Sequence, residues 1–259
     1  MRVIALCHLK GGVGKTTGAV NLAYEAAQAG YRVLCWDLDP QGAATWYLGC
    51  EPDGPHGKRL VNTRQALSGS VSATAWPNLD CAAAHHTLRN LDVRLDRAGG
   101  QRVKILRRLL KPVAGRYDAV FVDCPPGLSR LAEAVFRTAD TLLMPVIPSH
   151  LSLRAYDEVV RELDRLGIYR RSLYPYFSLV DRRRAIHRQW LAQPPESMVN
   201  VLQSWVPAAV DNERMGEHRA PVNAFAPRSR AARAWRALWQ ELEFRLHMSP
   251  PAHTAEGTG

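Results

Sequence analysis

The first 29 residues restrict the fold more than any other part of the chain. A short apolar run at 2–7 leads into Lys10-Gly11-Gly12-Val13-Gly14-Lys15-Thr16-Thr17, and an amphipathic stretch at 16–29 follows directly. Strand, glycine-rich loop and helix in immediate succession form the local architecture that holds an anion. Glycines let the backbone curl so that successive N–H groups point inward, and a helix beginning at Thr16 adds the positive end of its dipole. In such a loop Lys15 reaches the β- and γ-phosphates of a nucleotide, and the Thr16 hydroxyl ligates Mg²⁺. A chance glycine-rich turn lacks the flanking strand and helix, so the combination points to phosphate.

The same alternation runs along the rest of the chain. Apolar runs at 32–36, 79–83, 119–122, 141–147, 174–179 and 200–206 predict strands, and amphipathic stretches at 64–68, 88–96, 103–110, 131–138, 153–166 and 231–246 predict helices. Strands that read as continuous Val/Ile/Leu runs are buried on both faces, which implies a mostly parallel sheet with helices on each side. No linker divides the 259 residues, so one domain over 1–247 is expected, with a loose loop at 51–61 and a polar tail at 248–259. A content of 46% hydrophobic and 22% charged residues excludes a disordered chain. No run approaches the ~18–20 apolar residues of a membrane span, and the start lacks the pattern of a secretion signal. Cys7, Cys35, Cys50, Cys81 and Cys124 form no C-x-x-C pair, which argues against a disulfide framework or zinc cage and for a cytoplasmic setting.

Charge adds a second clue. Thirty-four basic residues against 24 acidic ones give +10, and only five of the basic residues are lysine. The planar fork of arginine suits phosphate groups. An arginine-rich composition without a polyanionic partner gives the same count, so composition leaves both readings open.

The glycine loop departs from the usual G-x-x-x-x-G-K-[ST] pattern, with Leu9 where glycine is common and Lys10 placed five residues ahead of Lys15. In this form it resembles the deviant Walker A motif, K-G-G-x-G-K-[ST], of the ParA/MinD family of ATPases. That resemblance implies a single-domain P-loop NTPase of α/β class, a mostly parallel twisted sheet with helices on both faces. It also implies ATP and Mg²⁺ as ligands, with Lys10, Gly11, Gly12, Val13, Gly14, Lys15, Thr16 and Thr17 around the phosphates. In the family the extra lysine, here Lys10, reaches across a nucleotide-sandwich homodimer to the partner's phosphates. Asp37-Leu38-Asp39-Pro40-Gln41-Gly42 is similar to the family's D-x-D-P-Q-G motif, in which the second aspartate (Asp39) orients the attacking water and the first (Asp37) stands in the outer Mg²⁺ shell. Asp123-Cys124-Pro125-Pro126 resembles the Walker B segment, which holds the water shell of Mg²⁺. Aspartates at the carboxyl ends of parallel strands lie where open α/β sheets bind ligands, although each of these acids alone could equally be a cap or turn former. Trp205-Val206-Pro207 matches the family segment that packs against adenine. The resemblance covers nearly the whole chain and is nearest to the small ParA (Soj-type) partition proteins, because no DNA-binding module precedes the glycine loop.

The chain also departs from that family. Many ParA proteins read I-P-R-N-V-R where this chain reads Val206-Pro207-Ala208-Ala209-Val210-Asp211, so an arginine associated with non-specific DNA binding is replaced by an acid. Compensation is expected from Arg184, Arg188, Arg214, Arg219, Arg228, Arg230 and Arg233, beside the alternative that part of this set is solvated helix surface. Each phosphate neutralised contributes about −0.9 to the log–log salt slope, so a few arginines suffice for sequence-blind binding. In the last helix Trp235, Leu238, Trp239, Leu242 and Leu246 follow the stripe of a helix packed on its own domain. That stripe stands against an amphipathic membrane anchor. His85-His86 has no partner at metal-ligand spacing, and Trp46-Tyr47 reads either as a partner-facing pair or as packing.

The implied function is a Mg²⁺-dependent ATPase switch with weak intrinsic activity. With ATP it would form a sandwich dimer and bind DNA non-specifically on the nucleoid, without a membrane. A ParB-like or cargo-adaptor protein would stimulate hydrolysis, so that a plasmid, a chromosome or a protein assembly is positioned. The alternatives are a MinD-like membrane-cycling ATPase, a metal-cluster carrier, which needs paired cysteines not seen here, and a small-substrate ligase sharing the same loop.

Overall fold

The computed structural model describes residues 1–51, 67–88 and 91–250, apart from 92, 94, 96 and 98. A seven-stranded sheet runs in the order β3 (Val71–Ala73), β4 (Leu79–Ala82), β2 (Val33–Asp37), β5 (Ala119–Asp123), β1 (Arg2–Leu6), β6 (Thr141–Val146) and β7 (Leu173–Phe177). Every pairing is parallel except β3 with β4, so the sheet has one antiparallel edge. Ile4, Ala5, Leu6, Val33, Leu34, Cys35 and Trp36 are fully buried, as expected of strands covered on both faces.

Alternation along each strand divides the core in two. Val3 and Ala5 belong to the layer formed with α3 (Arg102–Leu110), α4 (Arg130–Thr138) and α5 (His150–Arg165). Ile4 and Leu6 belong to the opposite layer, with α1 (Lys15–Gln28) and the last helix, α10 (Arg230–Arg245). Serine side chains cap three helices, Ser129 for α4, Ser149 for α5 and Ser229 for α10, each accepting a hydrogen bond from a backbone N–H of the first turn.

Chain order fixes where a ligand can sit. From β1 the chain crosses over β5 to β2, whereas from β5 it crosses over β1 to β6. The direction of winding therefore reverses beside β1, and the carboxyl ends of β1, β5 and β2 open onto the crevice at this switch point.

Most expected elements lie within a residue or two of their observed bounds. The expected strand at 200–206 is a correction. Of its backbone amides only Leu202 N and Val206 N donate to β7, at 2.8 and 2.9 Å. The amides between them, Gln203 N and Ser204 N, are captured by the carboxylate of Glu241 on α10, at 2.8 and 2.7 Å, and Asn200 takes a left-handed φ of 55°. An edge whose amides turn to a side chain cannot continue the ladder. Elements not anticipated from sequence are β3, α2 (Ala43–Tyr47), α6 (Ala185–Ala192) and three short helices, α7 (Val210–Glu213), α8 (Met215–His218) and α9 (Val222–Phe225). All but the first residue of the expected loop at 51–61, the start of the expected helix at 64–68, residues 89, 90, 92, 94 and 96 of the one at 88–96 and most of the tail at 248–259 lie outside the described residues.

The C-terminal helix packs inward. Trp235, Leu238, Trp239 and Leu242 are buried, Trp239 meets Tyr31 edge-on at 5.5 Å, and Trp235 meets Tyr176 at 6.4 Å. Trp235 Nε1 also donates to Asn212 Oδ1 at 2.9 Å, so the ring has a polar partner as well as an apolar one. No described helix is long and apolar enough to cross a membrane.

Candidate nucleotide site

The loop between β1 and α1 is built by backbone geometry. Gly12 and Gly14 hold φ of +73° and +97°, which L side chains rarely adopt. A Cβ added at Gly11 or Gly12 would meet nothing within 4 Å, so the loop faces open space. Unlike the serine-capped helices, α1 begins at left-handed Gly14 with no side-chain cap, which leaves its first N–H groups directed at that space. Lys15 is 6% exposed, and its ammonium donates to the Lys10 carbonyl at 3.0 Å, spanning the mouth of the loop. Lys10 itself is half-exposed and makes no ion pair among the described residues.

Two anchors that sequence reasoning missed hold this loop in place. Ser178, immediately after β7, donates from Oγ to the Val13 carbonyl at 2.8 Å in a buried contact. His8 accepts from Lys10 N at 2.9 Å through Nδ1, and its carbonyl accepts from Gly127 N at 3.4 Å in the loop after β5. Burial and the nearby Lys15 ammonium push the His8 pKa down to about 4, so the ring is neutral at pH 7. The signal available in sequence was a polar residue at the carboxyl end of a buried strand, where both His8 and Ser178 stand.

Opposite the loop, two carboxylates are buried side by side. Asp37 and Asp123 end adjacent parallel strands in matched register, and both are fully buried. Asp37 is well supported: Oδ1 accepts from Asp39 N at 3.0 Å, and Oδ2 accepts from Thr45 N and Thr45 Oγ1 at 2.9 and 2.8 Å. Burial nevertheless raises its pKa to about 6. Neither oxygen of Asp123 has a close hydrogen-bond partner among the described residues. Its pKa is pushed well up by burial and by the Asp37 charge, against the opposing influence of the Thr16 hydroxyl and the Lys15 ammonium. A buried carboxylate without partners is costly unless a cation faces it. These residues therefore fit Mg²⁺, with Thr16 on one side and Asp123 and Asp37 on the other. Asp39, half-exposed, folds back on its own loop, where its Oδ1 accepts from Gln41 N at 3.0 Å.

Pro207 comes to the same corner of the molecule. It forms a parallel bridge with Val180, two residues beyond Ser178, and its carbonyl accepts from Asn212 Nδ2 at 3.1 Å. The candidate arginines separate into engaged and open groups. Arg214 pairs with Glu217 at 3.1 Å and Arg219 with Glu51 at 2.8 Å, so both are turned toward the chain itself. Arg188 donates to the carbonyls of Arg182 and Arg183, and Arg184 stands at the start of α6. Arg228, Arg230 and Arg233 gather at the start of α10. Arg230 lies 5.2 Å over the Trp205 ring, and together with Arg233 it borders a cavity of about 790 Å³.

A parallel sheet with an uncapped glycine loop at its switch point and paired aspartates beyond it defines a P-loop nucleotide-binding protein. Comparison with known proteins carries this further. Residues 1–172 match the family model described as an AAA domain. The chromosome partitioning protein ParA of Caulobacter vibrioides is 30% identical over 204 residues, covering 73% of each chain. The sporulation initiation inhibitor protein Soj of Bacillus subtilis is 29% identical over 252 residues, 93% of this chain and 98% of its own. The septum site-determining protein MinD of Pyrococcus horikoshii, solved with Mg-ADP, superposes with a TM-score of 0.75 at 21% identity, over 93% of this chain and 96% of that one, a likeness of fold. The chain belongs to the ParA/MinD family.

Proposed function

We propose that this chain is a Mg²⁺-dependent ATPase that works as a switch. Bound ATP would draw two copies into a sandwich dimer, the dimer would hold DNA without regard to sequence, and hydrolysis stimulated by a partner protein would release it. The observation that carries this reading is the Asp37–Asp123 pair, buried and incompletely satisfied, facing the Lys15–Thr16 end of an uncapped helix. A nucleotide triphosphate with a divalent cation supplies both of the charges this arrangement lacks.

Each residue then has a task. Backbone N–H groups of 11–16 receive phosphate oxygens, and Lys15 moves from the Lys10 carbonyl onto them. Thr16 and Asp123 would hold Mg²⁺ with Asp37 behind, where the bound cation would supply charge neutralisation to the phosphates. Asp39 orients the attacking water, a role that its half-exposed carboxylate supports. Lys10, without an ion pair among the described residues, serves the phosphates of the second copy, and this ties the dimer to the γ-phosphate.

Names of relatives support the downstream role, since two of them are partition or sporulation regulators. The open arginines at the starts of α6 and α10 are the surface offered to DNA, in place of the family arginine replaced by Asp211. A gel shift on random-sequence duplex with ATP, ADP and no nucleotide tests the whole cycle. Binding is expected only with ATP, lost in Lys10→Ala and retained in Asp39→Ala; equal binding in all three nucleotide states would contradict the switch.

A further inference from the structure

Residues 207–226 touch the nucleotide site in three places. At one end lies Pro207, bridged to Val180. In the middle, Asn21 of α1 accepts from Val222 N at 2.8 Å and lies 3.2 Å from the Met215 sulfur. The third place is α2, where Trp46 Nε1 donates to the Gly216 carbonyl at 3.1 Å.

Arg219 dominates that third contact. Its guanidinium lies 3.9 Å over the Trp46 ring and donates to the Cys50 carbonyl at 3.1 Å and to Glu51 Oε1 at 2.8 Å. Its backbone is left-handed, with φ of 48°, in a region that favours glycine. A long side chain at such a position is compatible with the fold because its contacts offset the backbone strain. The helix it grips is only five residues long and has no side-chain cap, so it cannot hold itself. One residue before Trp46 stands Thr45, whose N–H and hydroxyl both bind Asp37, and whose oxygen also accepts from Ala84 N at 2.8 Å.

We propose that Arg219 is a positioning residue for the acidic loop 37–42. By gripping Trp46 and the Cys50 carbonyl it holds α2, and through Thr45 it fixes Asp37 and, two residues on, Asp39, whose N–H donates to Asp37 Oδ1. The segment 207–226 thereby couples the Pro207 end of the site to the carboxylates at the other end. Cation–π and charge-assisted contacts at once give the arginine a role that lysine cannot reproduce, because only the planar fork reaches ring and carbonyl together. This assignment rests on the hydrolytic reading above only for its catalytic consequence; the grip itself belongs to the nucleotide-free fold.

Amide hydrogen exchange on the nucleotide-free chain and steady-state ATP hydrolysis with Mg²⁺ test it, comparing the parent with Arg219→Gly and Arg219→Lys. Glycine relaxes the backbone while removing the grip, so the variant is expected to fold. Exchange across 43–50 should then quicken by about fivefold or more while α1 keeps its protection. Hydrolysis at saturating ATP should slow about tenfold with KM for ATP unchanged, because the phosphate loop is untouched. Should the glycine variant not fold, the lysine variant carries the same expectations in weaker form. Unchanged exchange across 43–50 overturns the assignment, as does reduced DNA affinity with hydrolysis intact, which would make Arg219 a DNA contact. Absence of hydrolysis in every chain, parent included, overturns the proposed function instead, and the exchange comparison then decides the grip by itself.

Discussion

Asp123 is a burden to the nucleotide-free fold and, in the proposed function, a requirement of the site. Both its oxygens are buried without a close hydrogen-bond partner among the described residues, beside a second buried carboxylate. Asp123→Asn removes the charge while keeping the shape, and is expected to stabilise the nucleotide-free protein by about 1–3 kcal/mol in urea melts. The same change should abolish Mg²⁺-dependent hydrolysis; a loss of stability instead would mean the carboxylate is satisfied in a way the site does not require. His8 carries a pH dependence of known sign. Its folded pKa of about 4 lies below the ordinary 6.5, so its contribution to stability is present above 6.5 and disappears as pH falls toward 4. His8→Asn can still accept the Lys10 N–H, and relative to this variant the parent should lose about 3 kcal/mol between those pH values. Parallel stability profiles for the two chains over that range would show that the ring charges freely.

At the scale of elements, the phosphate loop depends on a strand far away in sequence. Ser178→Ala deletes the bond to the Val13 carbonyl and leaves that buried oxygen unpaired, at a cost of about 1–3 kcal/mol measurable by denaturant titration. Weaker ATP binding should accompany it, since the loop would no longer be held for the anion. Such long-range ties mark the limit of what the sequence conveyed. The parallel strands and long helices were legible because burial on two faces, or on one stripe, writes itself into local hydrophobicity. The glycine loop and the three aspartates were legible because their chemistry is set by neighbours in the chain. Residues 200–206 looked like a strand because they are apolar, yet Glu241, more than thirty residues away, takes their amides. Arg219 read as a candidate DNA contact for the same reason: nothing local reveals a contact with Trp46, 173 residues earlier. Short helices such as α2 and α7 to α9 have no periodicity to read and are held by tertiary contacts alone.

The whole molecule is organised around one reversal of winding beside β1, with every candidate phosphate and metal ligand at the carboxyl edge of the sheet. Its positive charge is concentrated in arginine, and among the candidate DNA contacts those without an acidic partner in the described residues lie at the starts of α6 and α10. Asp39→Ala is expected to bind ATP without cleaving it and so to hold the molecule in one state. The direct test is light scattering of Asp39→Ala with Mg²⁺ and ATP, with ADP, and with Lys10→Ala added in the same chain. Twice the chain mass with ATP alone, and a single chain in the other two conditions, is the expected result. A single chain under all three conditions, or a pair that forms equally well without Lys10, would contradict a dimer held together by the terminal phosphate.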